Sequence, residues 1–94
     1  MKGPLLTDHA QTRVQQRGIP PLILEWLLAY GATEVDHRGA EIRYFDRQSR
    51  RRLGNAVGHQ VVDRLSGLLD TYVVVAENGA VITAGHRTKR INRH

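Results

Sequence analysis

The sequence contains no cysteine among its 94 residues, and it has only one tryptophan and one phenylalanine. The absence of cysteine excludes disulfide bonds, thiolate chemistry and most structural zinc sites. No stretch approaches the roughly 18 consecutive apolar residues of a membrane span, and the first apolar run is too short for a secretory signal. We therefore expect one cytoplasmic domain, over residues 5–90, whose core holds by packing alone and which needs no metal ion or other cofactor.

Positive charge is abundant and unevenly distributed. The chain has 14 Lys and Arg against 9 Asp and Glu, which gives a formal net charge of +5. Through residue 37, three basic residues stand against four acidic ones, whereas from residue 38 onward eleven stand against five. This excess predicts a polyanionic partner such as a nucleic-acid backbone. The basic residues predicted to bind it form two clusters, Arg47, Arg50, Arg51 and Arg52, then Arg87, Lys89, Arg90 and Arg93.

Capping residues and hydrophobic periodicity predict the order of the elements. Thr7 is a good N-cap for the first helix, and a proline pair begins the second. The predicted segments are two helices, two strands, a helical stretch and two further strands, at residues 8–17, 21–30, 33–37, 40–46, 47–69, 71–76 and 80–87. This order predicts an α+β domain with two N-terminal helices and a four-stranded antiparallel sheet. A third helix, bent near Gly58, is inserted between the two strand pairs.

The second predicted helix is apolar around almost its whole circumference, because Glu25 is its only charged residue. Such a helix is either deeply buried or leaves one face for another chain, and we expect Leu24 and Leu28 at a homodimer contact. The aromatic residues fit a core better than a platform for stacking bases. The predicted core includes Trp26, Leu27, Val57, Leu65, Val73 and Val75.

The first predicted helix carries an imidazole and two guanidiniums along one stripe. His9, Arg13 and Arg17 are spaced four residues apart, so they fall within an arc of about 80°. The stripe is either the ordinary solvated side of a surface helix or a surface that faces phosphate. A second pair, His86 and Arg87, ends the last predicted strand. We expect the two His and Arg sets to converge on one concave surface.

RNA cleavage without a metal ion needs residue types that these two sets contain. A base takes the 2′-hydroxyl proton, cations neutralise the phosphate, and an acid protonates the leaving oxygen. Histidine transfers protons near neutral pH, and arginine holds two phosphate oxygens at once. We assign His9 or His86 to proton transfer and Arg13, Arg17 and Arg87 to phosphate binding. A structural role at a strand end is the alternative for His86. The remaining histidines lack partners at metal-ligand spacing.

Two motifs carry a resemblance to a known family. The first helix reads HAxxRxxxRGI from residue 9, and the last strand reads VITxxxR from residue 81. In this order they resemble a small uncharacterised bacterial domain family, which is similar in turn to the RelE and BrnT group of toxin ribonucleases. The resemblance covers residues 7–88. It implies a RelE-like fold and an RNA-directed activity that involves His9, Arg13, Arg17 and Arg87. No tyrosine follows Tyr72, so a ribonuclease mechanism that depends on a tyrosine near the C-terminus is excluded.

Two functions remain open at this point. The first is a toxin-like, metal-independent endoribonuclease, similar to an mRNA interferase, with free or ribosome-bound RNA as substrate and an acidic antitoxin as partner. The second is a non-catalytic basic module that binds RNA or an acidic protein through the arginine clusters. Neither function involves a membrane.

Overall fold

Two helices pack on one face of a four-stranded antiparallel sheet. The computed structural model describes residues 5–36 and 38–87, so His37, at the predicted end of the first strand, lies outside it. The elements are α1 (Asp8–Arg17), α2 (Pro21–Tyr30), β1 (Ala32–Val35), β2 (Glu41–Tyr44), α3 (Arg47–Val57), α4 (His59–Arg64), a 3-10 turn (Ser66–Leu68), β3 (Thr71–Val75) and β4 (Val81–His86). The strands lie in the order β1-β2-β3-β4, and each neighbouring pair is antiparallel. The predicted α+β arrangement is confirmed, including helical residues between the strand pairs.

Helix α1 begins at the predicted N-cap and lies alongside β4. Thr7 Oγ1 accepts a hydrogen bond from Ala10 N at 3.2 Å, which satisfies one of the free N–H groups of the first turn. Thr7 N donates to Val81 O at 3.0 Å, and Leu6 forms a parallel bridge with Val81. The residues that cap α1 therefore also join it to the start of β4.

The helical segment between β2 and β3 breaks at Gly58, as predicted. Gly58 has φ 106° and ψ 131°, a conformation that a residue with a Cβ rarely adopts. A capping box begins α3: the Asp46 carboxylate accepts from Ser49 N at 2.8 Å, and Ser49 Oγ accepts from Asp46 N at 2.8 Å. These local signals divide the segment into α3 and α4.

The core lies between the helices and alternate residues of the sheet. Val73 and Val75 of β3 are buried, whereas Tyr72 and Val74 are half-buried on the opposite face. The predicted core is confirmed, with Trp26, Leu27, Val73 and Val75 buried and Val57 and Leu65 packed against them. The sheet therefore has one face covered by helices and one face that is open except where Arg87 lies over the buried Tyr44.

Helix α2 buries most of its apolar surface inside its own chain. Leu24 is 3% exposed and Leu28 packs half-buried against the core, whereas Leu22 is 46% exposed. The expectation that Leu24 contacts another chain is wrong, because its own chain already covers the side chain. A homodimer stays a prediction, and its contact surface would have to consist of side chains other than Leu24. Within the described ranges, no helix is long and apolar enough to cross a membrane.

The segment that contains α3 and α4 closes one end of the sheet. Tyr44 at the end of β2 pairs with Tyr72 near the start of β3, and His86 at the end of β4 pairs with Thr71. Residues 45–70 therefore lie at this end, which we call the capped end. The two short turns between paired strands lie at the opposite end, which we call the turn end.

We expect Trp26→Ala to lower the free energy of unfolding by about 3–5 kcal/mol, because the side chain is 8% exposed and its removal leaves a cavity in the core. Leu22→Ala, at an exposed position of the same helix, is the control and should change it by no more than about 0.5 kcal/mol. Urea denaturation followed by circular dichroism measures both variants. Equal effects would show that Trp26 does not belong to the core.

The Asp46 cap predicts a part of the stability that depends on pH. The Ser49 N–H donates to the Asp46 carboxylate, and this hydrogen bond lowers the pKa of Asp46 against the smaller, opposite effect of burial. Because the folded-state pKa lies below the unfolded value of about 3.9, the cap contributes fully above that value. The contribution is lost as pH falls through the folded-state pKa.

We therefore expect Asp46→Ala to cost about 1 kcal/mol at about pH 7, and less at about pH 2. Asp46→Asn is the control, because an asparagine caps the helix but does not titrate. Denaturant unfolding of the three proteins at both pH values measures the effect. A cost of Asp46→Ala that is the same at both pH values would contradict the contribution of the ionised cap.

Candidate nucleic-acid interface

His9, Arg13 and Arg17 lie on one side of α1, which we call the α1 stripe. Ala10 is fully buried and Val14 packs against the core, so the neighbouring stripe of the helix faces β4. His9 and Arg17 are exposed and Arg13 is half-buried. Arg13 Nε donates to His9 Nε2 at 3.4 Å, which places the proton of a neutral His9 on Nδ1. The predicted stripe thus contains an imidazole and a guanidinium in contact, beside solvent.

His86 attaches the C-terminal end of α1 to the sheet. Its Nε2 lies 2.8 Å from Arg17 O, and this nitrogen carries a proton because a carbonyl oxygen only accepts. His86 Nδ1 lies 3.5 Å from Thr71 Oγ1, whose own proton is donated to Leu68 O at 2.8 Å. The ring is therefore engaged through Nε2, and a role in holding α1 accounts for its position.

Arg87 is turned inward against the end of β2. Its guanidinium carbon lies 5.0 Å from the centroid of the Tyr44 ring, a cation–π contact. Its Nη1 donates to Phe45 O at 3.4 Å, and its backbone N–H donates to Asp70 O. Its Nε is buried and has no hydrogen-bond partner in the described part of the chain. Arg87 would have to leave the Tyr44 ring in order to hold a phosphate.

The structure brings His86 and the Arg17 carbonyl together at the capped end, but it places His9 nearer the turn end. The Arg87 side chain lies over Tyr44, on the sheet face opposite α1. Helix α1 begins beside the start of β4 and ends beside its last residue. The eight residues from His9 to Arg17 correspond to a rise of about 12 Å along the helix. The two histidines therefore stand in different surroundings, one beside solvent and one between α1 and β3.

Two arginines of the middle cluster are engaged by neighbouring elements at the capped end. Arg50 Nη2 forms a salt bridge with Asp70 Oδ1 at 3.1 Å, in which Asp70 is largely exposed. Arg52 Nη2 donates to Tyr30 O at 3.2 Å, at the last residue of α2. Both contacts connect α3 to the rest of the fold and leave part of each guanidinium exposed.

The other two arginines of the cluster are available to a ligand. Arg47 and Arg51 are exposed, and neither side chain makes a hydrogen bond or ion pair with another residue of the ranges that the structure describes. They lie one turn apart on the same face of α3. Lys89 and Arg90, which were also expected to bind nucleic acid, lie outside the described residues.

A groove of about 320 Å³ lies between α3 and α4. Its lining residues are Arg47, Arg50, Arg51, His59, Val62, Asp63 and Ser66. Three guanidiniums and one imidazole thus border the same space, and Asp63 is the carboxylate among these residues. The groove combines the middle arginine cluster with a histidine to which the sequence assigned no role.

His59 is held in this groove by close packing on α3. A Cβ built on Gly54 would lie 2.2 Å from His59 Nδ1, so the imidazole occupies the space that a side chain at residue 54 would fill. His59 Nε2 lies 3.1 Å from Asn55 Oδ1. A glycine five residues before a histidine, with a helix break between them, is the sequence signal that indicates this packing.

A larger groove, of about 650 Å³, lies at the turn end and includes residues of the open face of the sheet. Val74 and Ile82 give it an apolar floor. Arg38 lines it, but so do Asp36 and Glu77, so its charges do not favour an anion. The α1 stripe and the capped end are therefore better suited to a phosphate backbone than this groove is.

Comparison with protein-family models, with curated proteins and with solved structures gives no match for this chain. The resemblance to toxin ribonucleases thus stays a prediction from two motifs. In residues 5–36 and 38–87, no three His, Asp or Glu side chains lie close enough together to hold a metal ion.

We expect Gly54→Ala to bring little gain in stability, although the same change in a helix interior usually stabilises by about 1 kcal/mol. The new Cβ collides with the His59 ring, which must rotate away. In a His59→Ala background the obstacle is absent, and Gly54→Ala should recover about 1 kcal/mol. Denaturant unfolding of the four proteins measures this difference. The same gain in both backgrounds would show that the ring does not pack on Gly54.

Proposed function

We propose that the protein is a toxin-like endoribonuclease that cleaves RNA in the cytoplasm without a metal ion. The observation that carries this proposal is the exposed contact between His9 and Arg13 on the α1 stripe. An imidazole that accepts a proton and a guanidinium that holds phosphate oxygens stand there side by side. Arg17, exposed one turn further along the helix, extends the positive charge beyond the pair. The α1 stripe therefore offers RNA both a group that accepts a proton and guanidiniums that bind phosphate.

In the proposed reaction His9 takes the proton of a ribose 2′-hydroxyl. Arg13 releases His9 Nε2 and turns to the phosphate, a movement favoured by the long 3.4 Å contact between them. The 2′-oxygen attacks the adjacent phosphorus, and the bond from phosphorus to the 5′-oxygen breaks. A water molecule protonates the leaving oxygen, and the hydroxide formed takes the proton held by His9, which restores the neutral imidazole. The products are a 2′,3′-cyclic phosphate and a 5′-hydroxyl. Arg13 and Arg17 stabilise the negative charge that grows on the phosphate oxygens.

The exposed arginines of α3 support the same proposal and suggest a protein partner. Arg47 and Arg51 present uncompensated positive charge, which attracts a nucleic-acid backbone at long range. An acidic antitoxin would be attracted by the same charges and would cover the surface that RNA uses. A toxin and antitoxin pair therefore fits the charge distribution of the chain.

A non-catalytic RNA-binding module is the second candidate function. It is favoured by the engagement of His86 on the Arg17 carbonyl and of Arg87 on the Tyr44 ring. Under this alternative the exposed arginines bind the RNA backbone and no bond is broken. Salt-dependent binding of RNA without any cleavage would favour it over the endoribonuclease.

We expect His9→Ala to lower the rate of cleavage of single-stranded RNA in EDTA by about 10² or more, the usual contribution of a general base. RNA affinity should change little, because Arg13 and Arg17 remain. Gln11→Ala is the matched control, since Gln11 is exposed on another side of α1 and should retain the full rate. Gel assays measure the rates, and mass spectrometry identifies the 2′,3′-cyclic phosphate.

Three results would contradict the reaction as written. Full activity of His9→Ala would remove proton transfer from His9. Cleavage by the unaltered protein that stops when metal ions are chelated would contradict metal independence. Binding without cleavage would leave the second candidate as the function.

A further inference from the structure

We propose that the groove between α3 and α4 is a binding site for a terminal phosphate attached to ribose, as at the 5′ end of an RNA or in a free nucleotide. The site adds His59, Asp63 and Ser66 to the arginines that the sequence assigned to nucleic-acid binding. It does not depend on cleavage by the α1 stripe, because it requires only that the groove hold a phosphoryl group.

The arginines supply the phosphate ligands. Arg47 and Arg51 are exposed, unpaired with other described residues, and one helical turn apart. Their planar guanidiniums suit a phosphate, which carries three terminal oxygens when it is a monoester. Arg50 borders the same space but is held by Asp70. The groove therefore has two free guanidiniums and a third that is fixed in place.

His59 of α4 and Ser66 of the 3-10 turn add further hydrogen-bond donors to the groove. The packing of His59 on Gly54 fixes its ring at the groove, and its Nε2 contacts Asn55 Oδ1 at 3.1 Å. A ligand oxygen can replace the Asn55 amide as the acceptor for this N–H. Ser66 offers a hydroxyl from the 3-10 turn. A phosphate bound by the arginines of α3 is thus within a groove that also has donors from α4 and the 3-10 turn.

Asp63 indicates what accompanies the phosphate. A carboxylate in a groove for an anion repels a second negative group but accepts hydrogen bonds from hydroxyls. Ribose supplies such hydroxyls beside its 5′-phosphate. The volume of about 320 Å³ is at the lower limit of pockets for small ligands, so one nucleotide unit fits this space better than a continuous duplex.

The test compares 5′-AMP, adenosine, inorganic phosphate and two octaribonucleotides, one with a 5′-phosphate and one with a 5′-hydroxyl. Isothermal titration calorimetry on the full chain measures their affinities. We expect 5′-AMP to bind and adenosine not to bind. The double variant Arg47→Ala, Arg51→Ala should weaken 5′-AMP binding by about tenfold or more, because charged hydrogen bonds are lost. Arg38→Ala, an exposed arginine at the turn end, is the control and should retain the affinity.

Asp63→Asn tests the ribose contact separately from the phosphate contact. The substitution should raise the affinity for inorganic phosphate, since it removes a negative charge from the groove. The affinity for 5′-AMP should rise less, because an asparagine accepts hydrogen bonds from the ribose hydroxyls more weakly than a carboxylate does. An NMR titration of the unaltered protein with 5′-AMP should shift the side-chain signals of Arg51 and His59. This measurement does not depend on whether any variant folds.

The outcomes separate the source of the phosphate. Tighter binding of the 5′-phosphorylated octanucleotide than of both 5′-AMP and the 5′-hydroxyl octanucleotide identifies an RNA end. Tighter binding of 5′-AMP than of the 5′-phosphorylated octanucleotide identifies a free nucleotide, and both results support the site. Absence of 5′-AMP binding, or an equal loss in Arg38→Ala and in the double variant, would overturn it. Failure of RNA cleavage would leave these results unaffected.

Discussion

Helix α1 is fixed to β4 at both of its ends, and the position of the α1 stripe depends on this attachment. At the first end Thr7 N donates to Val81 O, and at the last His86 Nε2 donates to Arg17 O. Between these two points Ala10 is fully buried. A rotation of the helix would expose apolar surface and bury charge, which is unfavourable on both counts. The same attachment thus holds the imidazole and the two guanidiniums of the stripe toward solvent.

The helices and the order of the strands could be predicted because their signals are local. Thr7 caps its own helix, and Gly58 breaks the helical segment wherever the rest of the chain lies. The ends of the strands follow the local pattern less closely. The strand predicted over residues 40–46 ends at Tyr44, two residues earlier, because Asp46 caps α3 instead of continuing the strand. Whether such a residue ends a strand or caps a helix is decided by its side-chain hydrogen bonds to the backbone, which the alternation of apolar and polar residues does not predict.

The candidate site was only partly predictable because its contacts join distant residues. Nothing near His86 in the sequence indicates that it meets the carbonyl of Arg17, 69 positions earlier. Nor does the sequence distinguish Arg50, which binds a carboxylate of the fold, from Arg51, which faces solvent. The place of His59 follows from the bend between two helices, which brings its ring onto Gly54. Residue type and spacing predict a set of candidate groups, whereas the tertiary fold decides which of them remain free.

We propose that RNA binds along the α1 stripe and at the capped end. An NMR titration with a single-stranded oligoribonucleotide, observed through the arginine Nε–Hε signals, tests it most directly. We predict shifts for the exposed arginines Arg17, Arg47 and Arg51 and none for Arg38 at the turn end. Shifts confined to Arg38 and the amide signals of the open sheet face would contradict it.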